Sequence, residues 1–365
     1  EPGPEAEVIV NDPTFARAVL EKGDIGFAEA YMDGKFDTPD LAEVLRYFTT
    51  NFESAGKLAV GGAISHYVNS VRHFFRRNSK KGSKRNILAH YDLGNDFYAR
   101  WLDPTMTYSS ALYVDPAAKP LEDLEAAQLA KYRAIANDLD LRPGMRVLEI
   151  GSGWGGFAEV AAKEYGAEIV SVTISDAQYA YAKERIAGAG LADKVDIQMR
   201  DYRDITGQFD AIVSIEMFEA VGEKYWPVYF GKLAAVLKPG GKALLQIITI
   251  PQREFEYYRS RPDFIQRYIF PGGMLIPPER IAVEARKVGL DYAQQRSFGF
   301  SYARTLQEWA RRFELAWDSI KGPVFDERFR RLWLYYLAYC EAGFDSRRID
   351  VGHFMLTRLP AAQEL

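Results

Sequence analysis

The run Val147-Leu148-Glu149-Ile150-Gly151-Ser152-Gly153-Trp154-Gly155-Gly156-Phe157 constrains this chain more than any other segment. Strand-type residues lead straight into a loop with four glycines in six positions, and a helical pattern follows as far as Tyr165. Glycine lacks a Cβ and tolerates positive φ, so such a loop lets backbone approach a ligand closely. Its amides and the start of the next helix suit the polar part of a nucleotide-like molecule. An adenosine-containing cofactor is therefore expected.

Strand and helix patterns alternate from about residue 120. Strands are expected at 145–150, 168–172, 195–199, 210–215, 242–250, 290–295 and 351–358, with helices at 121–139, 155–165, 176–189, 225–237 and 278–288. That alternation predicts a seven-stranded, mainly parallel α/β sheet of Rossmann-like type, covered on both faces. Ligands of such sheets bind beyond the carboxyl ends of the strands, where the glycine loop lies. Residues 1–71 carry short helical patterns broken by Gly and Pro. They read as a small helical N-terminal domain that must lean on a neighbour, because fewer than ~80 residues make a marginal core.

Gly151-x-Gly153-x-x-Gly156 also satisfies a dinucleotide fingerprint, yet the second strand ends Val172-Thr173-Ile174-Ser175 without the acid that would grip a ribose. A hydride-transfer enzyme is disfavoured on that ground. Glu149, two residues before the first glycine, suits S-adenosylmethionine better, since its carboxylate can orient the loop or meet the cofactor's ammonium. Asp201 and Tyr202 follow the third strand and could frame the adenine. Lys238-Pro239-Gly240-Gly241 matches the turn before the fifth strand of class I methyltransferases. S-adenosylmethionine is the expected cofactor, and no metal is expected.

Charge is uneven along the chain. The whole carries 46 Lys and Arg against 50 Asp and Glu, a net charge of −4, but residues 72–85 contain seven basic residues and no acid. With Phe74 and Phe75 beside it, this block suits the surface of an anionic phospholipid bilayer. No base-reading module accompanies it, so nucleic acid is not an expected partner. One cysteine, Cys340, excludes an internal disulfide framework and fits a reducing compartment. No apolar run reaches the length of a spanning helix.

The order of several motifs resembles one family, the cyclopropane-fatty-acyl-phospholipid synthases. They begin with His90-Tyr91-Asp92-Leu93-Gly94-Asn95-Asp96-Phe97-Tyr98 and Met106-Thr107-Tyr108-Ser109-Ser110-Ala111. Ser175-x-x-Gln178, Met217-Phe218-Glu219, Tyr268-Ile269-Phe270-Pro271-Gly272-Gly273, Phe298-Gly299 with Tyr302, and Tyr335-Tyr336-Leu337 with Cys340 follow. The resemblance implies a class I methyltransferase domain over 90–365 with a cap insertion at 251–277, a basic linker at 72–89, and helices at 304–345 roofing an acyl tunnel. It implies one-carbon transfer to the cis double bond of an unsaturated phospholipid chain, by an enzyme held peripherally at the cytoplasmic, inner face of a membrane. Homodimerisation would suit such work, though no residue demands it. Tyr108, Ser109, Gly151, Gly153, Thr173, Gln178 and Asp201 would line the cofactor.

An alkene attacking a sulfonium methyl leaves a carbocation, so a dry apolar pocket is required, with aromatic faces to stabilise the charge. Candidates are Phe255, Tyr257, Tyr258, Phe264, Tyr268, Phe270, Phe298, Phe300, Tyr302, Tyr335 and Tyr336. The resemblance further implies a bicarbonate ion as base, gripped by a glutamate, a histidine, a tyrosine and backbone amides, with cysteines nearby. Glu219 matches the glutamate, Tyr302 the tyrosine and Cys340 one cysteine. Gln246 stands in place of the histidine, Ser110 in place of the other cysteine, and Ala220 in place of the histidine that usually follows the glutamate. Gln246 donates a hydrogen bond but does not titrate. Those departures point to a methyl- or methylene-branched product in place of a cyclopropane. A small-molecule N-methyltransferase and a non-catalytic lipid-binding homologue are the alternative readings.

Overall fold

Short apolar strand runs flanked by amphipathic helices assemble the centre of this protein, whose computed structural model describes residues 5–51, 93–119 and 122–360. The basic segment 72–85, the start of the motif at His90 and the expected domain boundary at 71 lie outside the described residues. A two-stranded ribbon, β1 (Ile9–Val10) and β2 (Phe36–Asp37), sits with α1 (Thr14–Lys22), α2 (Asp24–Met32) and α3 (Leu41–Thr50). The short helix α4 (Asn95–Ala99) and α5 (Leu124–Asp138) then lead to the sheet. Its strands are β3 (Arg146–Ile150), β4 (Glu168–Thr173), β5 (Val195–Met199), β6 (Phe209–Ile215), β7 (Leu237–Thr249), β8 (Leu290–Ser297) and β9 (Asp350–Arg358). Between them run α6 (Gly156–Tyr165), α7 (Asp176–Gly188), α8 (Trp226–Val236), α9 (Gln252–Ser260) and α10 (Pro278–Lys287). Two long helices, α11 (Gly299–Ile320) and α12 (Glu327–Asp345), occupy the stretch where helices were expected at 304–345 and precede the last strand.

The seven strands lie in the order β5-β4-β3-β6-β7-β9-β8, and β9 alone runs against its neighbours. Between β3 and β6 the chain's progress across the sheet reverses, which opens a crevice at the strands' carboxyl ends. The glycine loop leaves β3 on one side of that crevice, and Glu216 leaves β6 on the other. Strand β7 begins earlier than expected because Leu237 already pairs with Phe209, ahead of an irregularity in register.

Nearly every side of α2 is apolar and buried: Ile25, Phe27, Ala28, Ala30, Tyr31 and Met32. A helix apolar all round belongs inside a larger core, and this one packs on α12, so that Phe27 and Phe36 share a cluster with Trp333 and Tyr335. Polar ties fix the same contact. The Arg331 guanidinium donates to the carbonyls of Tyr31 and Phe36 and to Asp37, and it lies 4.1 Å from the centre of the Tyr31 ring. Arg267 and Tyr268 of the cap both reach Glu29 on α2. Replacing Arg331 with Ala removes hydrogen bonds to two backbone carbonyls and the ion pair with Asp37, and we expect a loss of about 2–4 kcal/mol. Urea unfolding of R331A beside the wild type measures it.

Candidate active site

Gly151 follows β3 with φ of +99°, and a Cβ there would stand 3.2 Å from the Met217 side chain, so only glycine fits. The amides of Gly151 and Ser152 donate to Val172 O, which stitches the loop to β4. Trp154 Nε1 donates to Asn95 Oδ1 at 2.8 Å, tying the loop to the motif on α4. Glu149 is buried, and its Oε2 accepts from Ser171 Oγ at 2.5 Å. Burial raises its pKa to about 8, against the pull of the Ser171 hydrogen bond. At the tip of β4, Thr173 Oγ1 donates to Gln178 Oε1, while Ser175 caps α7. Arg203 grips both oxygens of Asp201 beside Tyr202. Together with Tyr108 and Ser109, all nine expected cofactor residues line one cavity of about 560 Å³. The glycine cradle and the buried Glu149 carboxyl fit the methionine end of S-adenosylmethionine, and Thr173, Gln178, Asp201 and Tyr202 fit its nucleoside end.

Beyond the glycine loop the same cavity is lined by Tyr108, Glu216, Glu219, Tyr302, Tyr335, Tyr336, Tyr339 and Cys340, and it continues to Val19, Phe27, Leu45 and Phe48 of the N-terminal helices. Of the aromatics expected around a cation, Tyr257, Tyr258, Phe270, Tyr302, Tyr335 and Tyr336 do line it. The other five do not. Phe255 and Phe264 are core, Phe298 packs on His353, Tyr268 is taken by Glu29, and Phe300 lies on the surface under Arg347. Burial raises the Cys340 thiol well above its ordinary range, so it is no nucleophile at neutral pH.

Glu216 organises the centre. Its Oε1 accepts from the Ser110 amide at 2.9 Å and from Gln246 Nε2 at 2.7 Å, and its Oε2 accepts from the Tyr302 hydroxyl at 2.6 Å. Its backbone sits at φ of +48°, a left-handed conformation that a non-glycine residue adopts at a cost of about 1–3 kcal/mol. Burial pushes the Glu216 pKa up, while Tyr302, the Ser110 amide, Gln246 and the charge of Lys131 pull it back. Glu219 Oε1 accepts from the Ile248 amide at 2.6 Å, and its Oε2 has no hydrogen-bond partner. Burial and the neighbouring Glu216 charge raise Glu219 to about 8, so it stays protonated at neutral pH and can offer a hydroxyl.

This arrangement corrects two expectations. Ser110 and Gln246 do not face the cavity; both are fully buried behind Glu216, and Ser110 contributes its amide there while its hydroxyl turns to Ala111 O. The donors expected to grip bicarbonate are Tyr302, position 246 and a backbone amide. They already hold the Glu216 carboxylate, so the residues present do not fit a separate bicarbonate ion. Behind Gln246 stands the missing imidazole. His353, its cross-strand partner on β9, has Nε2 3.0 Å from Gln246 Oε1. Since Gln246 spends its Nε2 on Glu216, its Oε1 must accept from His353.

The family of mycolic acid cyclopropane synthetases matches residues 78–354. The chain belongs to that family. It is 39% identical over 352 residues to the tuberculostearic acid methyltransferase of Mycobacterium tuberculosis, covering 94% of this chain and 81% of that protein. With the cyclopropane-fatty-acyl-phospholipid synthase of Escherichia coli it shares 37% over 360 residues, 97% of this chain and 88% of that one. Among solved structures, the cyclopropane synthase MmaA2 from Mycobacterium tuberculosis superposes with a TM-score of 0.69 at 30% identity, over 75% of this chain and 98% of its own. Coclaurine N-methyltransferase, at 18% identity and a TM-score of 0.67 over 91% of this chain and 99% of its own, shares the fold alone. Family membership and the site together make this an S-adenosylmethionine-dependent methyltransferase of the class I fold.

Sequence reasoning overlooked Glu216, Lys131 and His353. The available signal was the pair of acids three positions apart, Glu216 and Glu219, directly after an apolar strand. Glu149 generates a prediction. A cationic cofactor prefers it ionised, whereas the free protein holds it protonated below about pH 8. S-adenosylmethionine affinity should therefore rise with pH up to about 8 and then level off, with proton release on binding. Calorimetry in buffers of different ionisation enthalpy measures both, and Glu149→Gln should abolish the Glu149 contribution.

Proposed function

We propose that this enzyme methylates the cis double bond of a phospholipid acyl chain and ends the reaction as a methylene- or methyl-branched chain, with Glu216 as the built-in base. The observation that carries this reading is the Glu216 carboxylate seated on the donors that would otherwise bind an external anion. When bound, S-adenosylmethionine supplies an electrophilic methyl carbon against the alkene. The cavity wall of Tyr108, Tyr302, Tyr335 and Tyr336 keeps water out and presents π-faces to the cationic acyl chain. Tyr302 stays protonated because burial and the Glu216 charge hold its pKa well above the ordinary value, so it keeps donating to Glu216.

A carboxylate that accepts three hydrogen bonds is a weakened base, and its own main chain prevents it from following the new methyl group. Slow proton removal gives the secondary cation time for a 1,2-hydride shift, which moves the charge to the carbon bearing the methyl. Loss of a methyl proton to Glu216 then leaves a C=CH2 methylene branch on the open chain, whereas loss before the shift would close a ring. A saturated methyl branch needs a further reduction by a separate hydride donor. One relative is named a methyltransferase and another a cyclopropane synthase, and the Glu216 geometry supports the branched outcome for this chain.

The lipid surface reading rests on where the cavity opens. Phe48 and Tyr257 line the cavity and are also 43% and 42% exposed, next to Lys22 and Arg261. Tyr47, also 43% exposed, flanks them. Amphipathic aromatics with basic neighbours suit the headgroup level of a bilayer. The basic segment 72–85 would add on the order of 1 kcal/mol per residue on an anionic surface. No helix among the described residues is long and apolar enough to cross a membrane. These features support peripheral attachment to a membrane surface, with the inner leaflet as the proposed face.

Incubation with oleoyl phospholipid vesicles and methyl-labelled S-adenosylmethionine, followed by mass spectrometry, tests the reading. A branched product formed at the same rate in bicarbonate-depleted buffer is expected, and a cyclopropane product would overturn it. Glu216→Gln should lower kcat by about 10²–10⁴-fold, the range for loss of a general base.

A further inference from the structure

A lysine with no exposed surface lies behind the reactive centre. Lys131 and Gln128, one turn apart on α5, are both fully buried. Lys131 Nζ donates to Ser109 Oγ at 2.6 Å and to Gln128 Oε1 at 2.8 Å, and Gln128 Nε2 donates to Ser109 O at 2.9 Å. The next residue, Ser110, gives its amide to Glu216. Nζ also lies 4.6 Å from the centre of the Tyr132 ring. Among the described residues no carboxylate is within ion-pair distance of Nζ, and its charge is felt at Glu216 and Asp103.

A buried charge held only by neutral groups is an expensive way to fill space, and an apolar side chain of the same length would be more stable there. Its placement gives the reason. Lys131 does not line the cavity, and the Ser109–Ser110 segment links it to Glu216, so in its protonated form it sets a cation behind the carboxylate, opposite the proposed acyl cation. We propose that Lys131 is the positioning residue for Glu216: through Ser109 it seats the Ser110 amide on the carboxylate, and its charge keeps that carboxylate ionised despite burial. This rests on the reading of Glu216 as the base.

Other groups around the pair do not supply the same charge. Glu219 and Asp103 are acids, Tyr302 and Tyr132 remain protonated phenols, and burial keeps His353 below its ordinary pKa. Burial likewise lowers Lys131 to about 7, against the attraction of Glu216 and Asp103. Removing the lysine therefore removes a cation that favours the ionised form of Glu216, and the Glu216 pKa must rise.

The test is the pH profile of kcat on phospholipid vesicles for Lys131→Met, with circular dichroism and S-adenosylmethionine binding as the measures of folding. The acidic limb should move up by about one pH unit or more, the size expected for loss of a nearby opposite charge. Activity should recover at high pH, with KM for the vesicles little changed. Lys131→Gln keeps a donor toward Ser109 without the charge, and it should shift the limb in the same direction; Lys131→Arg should bring it back. A folded, cofactor-binding Lys131→Met or Lys131→Gln with an unmoved limb, or with kcat lowered equally at every pH, overturns the proposal. Glu216→Gln run alongside separates the two ideas. If that variant keeps full activity, the base itself is wrongly assigned. If it is inactive while the lysine variants show no shift, only the role of Lys131 falls.

Discussion

A carboxylate buried at a strained backbone position, with each oxygen spoken for, governs this protein. Glu216 costs energy twice, through its left-handed φ and through its desolvation. What offsets that cost comes from distant parts of the chain: an amide from the segment before α5, an amide side chain from β7 and a phenol from α11. The surrounding fold can be understood as the scaffold that brings these three donors within 3 Å of one residue. Weakening any of them exposes an unsatisfied charge in an apolar chamber, where Coulombic terms are several times their value in water.

The sheet's switch point brings chemistry and cofactor together, since β3 delivers the glycine loop and β6 delivers Glu216 to the same crevice. The apolar half of the chamber depends on the N-terminal helices. Phe27, Leu45 and Phe48 form part of its wall, so these helices help to build the chamber proposed to take the acyl chain. Arg331, Arg267 and Tyr268 fasten them to α12 and the cap.

Much of this was legible in the residues. Parallel strands buried on both faces read as short apolar runs, and β5 at Val195–Met199 lies where its pattern put it. The glycine loop announced the cofactor cradle because positive φ with close approach leaves little choice of residue. Helix α2 was harder to see as a helix, since a segment apolar on nearly every side has no amphipathic period to detect. Glu216 escaped because the family motif centres on Glu219, and nothing local to Glu216 reveals donors that arrive from 30 or more residues away on either side. Lys131 escaped for a related reason. A lysine in a helical pattern reads as solvated surface, and only tertiary packing shows otherwise. Bicarbonate was implied by the family resemblance alone, and a side chain of the protein, Glu216, sits on the donors assigned to it.

Strand β9 has one more implication. It is the last strand of the chain, yet it lies inside the sheet between β7 and β8, with His353 backing Gln246. Without β9, β7 would have an open edge and Gln246 would lose its orienting partner. The seat of Glu216 is thus coupled to closure of the sheet, since the strand that fills the gap between β7 and β8 also braces Gln246.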